Sequence, residues 1–182
     1  FHRRTQQRDK TLEIEKRKVL TSELHALRSQ MNPHFIFNTL SSIQSFIIKN
    51  ESKVAANYLS KFAKLMRATL ENTKKQNISI KDEIDTLELY LQLEQLRLNH
   101  KFDYKIIVDE NIDPRFDQIP SMLIQPYVEN AIWHGVSSNE IQGLITIGFY
   151  LENEALLKCV IEDNGIGREK SSSLKSKPGK SP

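Results

Sequence analysis

The sequence predicts an α+β chain in two parts. An N-terminal coiled-coil and helical hairpin pairs with a second copy into a dimeric four-helix bundle, and an α/β sandwich follows. Three observations carry this reading. Apolar residues recur at helical spacing through the first half, interrupted at Asn32-Pro33 and again at Asn50-Glu51-Ser52. From Phe102 onward, three runs rich in β-branched and aromatic residues read as strands, with a further helical pattern between the first and second. Two compact polar motifs sit in that second half, Glu129-Asn130 within the helical pattern and Asp163-Asn164-Gly165-Ile166-Gly167 after the last strand.

Residues 1–31 form the first unit. From Thr11 to Met31 the chain is dense in Glu, Lys and Arg and lacks Gly and Pro, while Leu20, Leu24, Leu27 and Met31 draw one narrow apolar seam. A seam that thin on a charged helix suits a coiled coil. Residues 32–76 are the helical hairpin. Proline removes a backbone donor and clashes with the carbonyl four residues back, so the helix kinks or restarts at Pro33. On a restart, Asn32 is the N-cap, Pro33 the first helical residue, and His34 lies in a first turn. Ile36, Leu40, Ile43 and Ile47 continue an apolar face, and Ala55, Leu59, Phe62 and Met66 repeat the rhythm in a second helix. One hairpin cannot cover both its faces, which implies a homodimer.

Residues 77–182 are the α/β unit, with Thr73 to Ile78 read as a polar linker into it. Ser79, with Asp82 and Glu83 behind it, is a helix start signal, and Ile84, Leu87, Leu91 and Leu98 carry that helix to about His100. Strands follow at Phe102–Val108, Leu144–Leu151 and Leu156–Ile161. Met122–His134 reads as a helix closed by Gly135, a residue suited to the left-handed position past a helix end. Ser171–Pro182 is Ser, Lys, Gly and Pro with little to bury.

Composition removes several function classes. The chain has 182 residues and a formal charge of +3, with basic residues scattered rather than striped, so no nucleic-acid partner is expected. The single cysteine, Cys159, excludes a disulfide framework and sits in an apolar run as a small hydrophobe. No stretch reaches the roughly 18 apolar residues of a membrane span. The chain opens on Phe1-His2-Arg3-Arg4, which reads as a piece cut from something longer. That basic cluster is either the cytoplasmic flank of a preceding membrane helix or the solvated start of a helix. On the first alternative, the chain is the cytoplasmic portion of an inner-membrane protein.

Chemistry is expected at a few residues. His34 follows a proline, with Asn38 one helical turn on; an unperturbed imidazole is mostly neutral and nucleophilic at pH 7. Asn130 offers an amide oxygen of the kind Mg2+ accepts, and Glu129 a carboxylate to orient water or a proton. Asp163 ends a strand, where a carboxylate can accept from an adenine amino group while Gly165 and Gly167 let a ligand come close. A plain turn accounts equally for Asp-x-Gly-x-Gly on its own. His134, a turn past Asn130, is either a nucleotide contact or a histidine interacting with the helix dipole.

Gln30-Met31-Asn32-Pro33-His34-Phe35-Ile36-Phe37-Asn38 resembles the phosphoacceptor segment of bacterial sensor histidine kinases of the LytS type. Ile124 to Gly135 resembles their N box, and Asp163 to Gly167 the first glycine box shared with the wider GHKL ATPases. The resemblance covers about residues 20 to 170. It implies a C-terminally incomplete GHKL-type ATP-binding domain, ATP and Mg2+ as cofactors, autophosphorylation of His34, and transfer to a response regulator, commonly of the LytTR type. By the same resemblance Asn130 binds Mg2+, Asp163 binds adenine, and Glu129 is a polar catalytic helper. Phe35 stands where many histidine kinases carry an acid. The alternative expectation is a truncated or degenerate GHKL module that dimerises and docks partners without catalysis.

Overall fold

The computed structural model describes residues 33–137, 141–153 and 156–165. The expected coiled coil, the Asn32 cap, Gly167 and the C-terminal tail lie outside the described residues. Within them the architecture is α+β, with helices first and a mixed sheet after. No helix among them is long and apolar enough to cross a membrane.

Helix α1 (Pro33–Ile48) and helix α2 (Ser52–Thr73) form an antiparallel hairpin. The turn is set by Asn50, which takes a left-handed φ of 59°. Its N–H donates to the Ile47 carbonyl and the Glu51 N–H to the Phe46 carbonyl, so the last carbonyls of α1 are satisfied without a glycine. Asparagine tolerates this backbone better than most residues because its short polar side chain bonds locally. Across the hairpin, Phe46 packs on Tyr58 at 5.6 Å between ring centroids, and Phe35 on Phe62 at 6.3 Å.

Asn77 and Ile78, expected as the end of a linker, form strand β1 (Asn77–Ser79) together with Ser79. It pairs antiparallel with a second short strand, β3 (Gln118–Pro120), with Ile78 opposite Ile119. Both isoleucines are buried, which is why so short a ribbon holds. Ser79 then caps helix α3 (Ile80–Arg97), its hydroxyl accepting the Asp82 N–H at 3.0 Å, as the start signal predicts. The helix ends like α1, with Asn99 left-handed at φ 51° and the His100 N–H donating to Gln95.

Strand β2 (Phe102–Val108) pairs in parallel with β4 (Gly143–Asn153), which pairs antiparallel with β5 (Leu156–Asp163). The pleat puts Phe102, Ile106, Ile145, Ile147, Phe149 and Ile161 on one face, and that face is packed. Helix α4 (Gln125–Asn130) crosses between the parallel strands. It starts at Gln125, not Met122, because Met122 takes φ 60° and Pro126 fixes the first turn behind it.

Helix α3 joins the two layers. Thr86 and Tyr90 meet the hairpin: Asn72 donates to the Thr86 hydroxyl at 3.1 Å, and Phe35 stacks on Tyr90 at 5.0 Å. Lys61 of α2 also donates to Gln92. Leu87, Leu91 and Leu93 are buried as well, so α3 shows no broad polar face.

One buried acid stands out on this helix. Glu83 is 2% exposed and its Oε1 finds no hydrogen-bond partner among the described residues. Burial raises its carboxyl from 4.5 to about 7, opposed only by the Ile124 N–H. Cys159 on β5 is pushed up to about 11 by burial, with the Glu83 charge adding to it, which leaves an inert thiol.

The native state holds a proton on Glu83 to about pH 7, whereas the unfolded chain releases it near 4.5. The Glu83 contribution to stability is therefore fully present below that lower value and is lost as pH rises through the interval, by on the order of 3 kcal/mol. Glu83→Gln, a neutral isostere, is expected to flatten this part of the profile; urea denaturation midpoints between pH 4.5 and 7.5 measure it.

Candidate functional site

The site grows from the point where α4 changes its winding. After Asn130 the chain continues as a π-helical turn, Ala131–Val136, whose extra residue per turn shifts the side chains that follow. Ile132 and Val136 anchor it in the core. Glu129 is half-buried and accepts from the Gln125 amide at 3.1 Å. Asn130 and His134 are exposed. Burial, with the Glu94 and Glu129 carboxylates nearby, holds the Tyr90 hydroxyl well above its usual range, so Glu129 faces the α3 side of its helix.

Gly135 departs from the sequence expectation. It is buried inside the π turn, where no left-handed backbone is needed, and it is a glycine for want of space. A Cβ there would meet Asp163 Oδ1 at 2.5 Å. A Cβ on Gly165 would in turn meet the Gly135 backbone at 2.4 Å. The turn after β5 thus lies directly on the π turn. Asp163 Oδ1 accepts the Gly165 N–H at 2.9 Å. The Asn164 side chain accepts the Leu144 N–H at 2.7 Å and donates to the Gln142 carbonyl at 3.2 Å, which ties the turn to the start of β4. Asp163 remains exposed at the rim.

His34 reaches the same region from the hairpin. It is exposed near the start of α1, and its ring centroid lies 4.5 Å from that of Trp133 at an interplanar angle of 47°. The Asn38 amide nitrogen lies 3.3 Å from Nδ1 of the imidazole. Trp133 also meets Arg97, whose guanidinium carbon is 4.8 Å from the ring centroid. Arg97 is fixed by Glu94, a fully buried carboxylate that accepts from Nε at 3.0 Å and from the second nitrogen of the fork. Phe35, next to His34, is 2% exposed against Tyr90 and Phe62, so the start of α1 is held by its neighbour in sequence.

The structure therefore brings His34 to the unit carrying Glu129, Asn130 and His134 through Trp133, and brings Asp163 and Gly165 against the same unit at Gly135. Sequence reasoning gives neither Trp133 nor Arg97 a functional role. The spacing of Glu94 and Arg97, one turn apart, was the available signal for the pair. No group of three or more His, Cys, Asp or Glu among the described residues could hold a metal by itself. Asn130 and Glu129 offer hard oxygens on one turn of helix, a partial set that suits an ion taking its other ligands from phosphates and water.

Comparison with known proteins adds one family match and three relatives. Residues 22–102 match the family model described as histidine kinase. The chain is 34% identical over 161 residues to the sensor protein LytS of Oceanobacillus iheyensis, covering 87% of this chain and 27% of that protein. It is 35% identical over 146 residues to the sensor histidine kinase YpdA of Escherichia coli K12 (80% and 25%), and 30% identical over 158 residues to the sensor histidine kinase/phosphatase LytS of Staphylococcus aureus (87% and 26%). The chain thus spans roughly a quarter of the length of the curated relatives it matches.

The Gly135–Gly165 contact has a direct test. Gly165→Ala must push the turn after β5 off the π turn, since the obstructing atoms are backbone. It is expected to cost about 1–3 kcal/mol, read as a lower urea midpoint with unchanged helical circular dichroism.

Proposed function

We propose, for a chain that carries a histidine kinase family domain at residues 22–102 and resembles sensor histidine kinases of the LytS type, that His34 is the phosphoacceptor of a two-component sensor kinase and that its α/β half is a GHKL-type ATP-binding domain. The observation that carries this reading is the contact between His34 and Trp133, on the same helical unit as Glu129 and Asn130. Asp163 accepts a hydrogen bond from the adenine amino group, beside a glycine contact too tight for any side chain. Asn130 holds Mg2+ through its amide oxygen. The ion, when bound, neutralises phosphate charge. Glu129, oriented by Gln125, serves as the polar helper beside it, and His134 lines the nucleotide edge.

The hairpin supports a homodimer. Phe37, Leu40, Ile47 and Ile48 are 69%, 52%, 59% and 71% exposed, in a stripe on the side of α1 away from Phe35 and Thr39. A second copy covering that stripe completes a four-helix bundle. The phosphoryl group then passes to an aspartate of a response regulator, which we take to be of the LytTR type. The chain is read as the cytoplasmic portion of a membrane-bound protein.

Incubation of the full natural polypeptide with γ-labelled ATP and Mg2+ tests this. Acid-labile, alkali-stable label is expected, abolished in His34→Gln and lowered about a hundredfold or more in Asn130→Ala. Label that survives His34→Gln would refute the assignment. ATP binding without any label would favour a docking module instead.

A further inference from the structure

We propose that phosphoryl transfer to His34 takes place within a single chain, with Trp133 as the positioning residue that holds the acceptor imidazole; this rests on His34 being the phosphoacceptor. Three observations combine. The His34 ring lies 4.5 Å from the ring of Trp133, on the helical unit that also carries Glu129 and Asn130. The hairpin that bears it is docked on its own α3 by Phe35 on Tyr90, by Asn72 to Thr86 and by Lys61 to Gln92. Trp133 is itself held from that helix, since Arg97 lies over its ring and is locked by buried Glu94.

The acceptor and the candidate nucleotide unit are therefore joined through one packed core. Holding an exposed imidazole at a fixed orientation beside the nucleotide converts part of the activation barrier into prior packing. In the step itself a ring nitrogen attacks the γ-phosphorus. The N–P bond forms as the bridging P–O bond breaks, its electron pair leaves on ADP, and the ring's remaining proton passes to water. Arg97 acts through Trp133 and is a positioning residue too.

Mixed dimers of the full natural polypeptide, isolated through two different tags, test the proposal. One chain carries His34→Gln and the other Asn130→Ala. Intrachain transfer predicts no more label on the mixed dimer than on Asn130→Ala alone. Recovery towards half of the wild-type label overturns it while leaving the phosphoacceptor assignment standing. An unlabelled wild type sinks both.

A second measurement addresses Trp133. Trp133→Ala is expected to lower the maximal labelling rate by about ten- to a hundredfold with KM for ATP unchanged, and Trp133→Phe to restore most of it. An unchanged or faster rate in Trp133→Ala overturns the positioning role.

Discussion

The packing of Phe35 against Tyr90 is the contact on which the rest of the arrangement depends. Helix α3 is apolar over most of its circumference, and a helix of that kind is stable only when covered on more than one side. The sheet with α4 covers one flank, and the α1–α2 hairpin covers the other through Phe35, Tyr58 and Leu65. Two units that the sequence separates thereby share one hydrophobic cluster. The exposed His34, Asn130 and Asp163 are thus carried on one packed frame built from other residues.

The polar groups around that cluster show how costs are distributed. Glu94 is fully buried but meets a bidentate Arg97, so its charge is compensated. Glu83, on the same helix, has no such partner, and burial raises its carboxyl to about 7. The first acid organises a cation over Trp133. The second sits under the start of α4, where the Ile124 N–H reaches it, and so links the protonation state of the core to the helix that carries Glu129 and Asn130.

Much of this was legible in the sequence, for reasons that separate it from what was not. The hairpin, α3 and the three long strands announce themselves through apolar periodicity and one clean cap at Ser79. Strands β1 and β3 do not, because three residues carry no period; their pairing depends on Ile78 meeting Ile119. Gly135 was open to misreading because a glycine past a helical run serves a left-handed cap and a close approach equally well, and only the position of Asp163 decides between them. The site residues are visible as motifs, but the contact between His34 and Trp133 joins distant segments, and nothing in either segment names the other. Phe35, which looks like a departure where many histidine kinases have an acid, is accounted for by the slot it fills.

The adjacency of His34 and Phe35 sets a mechanical condition on α1. Consecutive helical residues point about 100° apart, so the imidazole cannot be turned without turning its apolar neighbour. Any twist of the stem large enough to carry the ring away from the indole also drags a benzyl group out of the interior and into water. The orientation of the imidazole is thus spring-loaded by the hydrophobic effect, with a restoring torque supplied by the phenylalanine next to it in sequence.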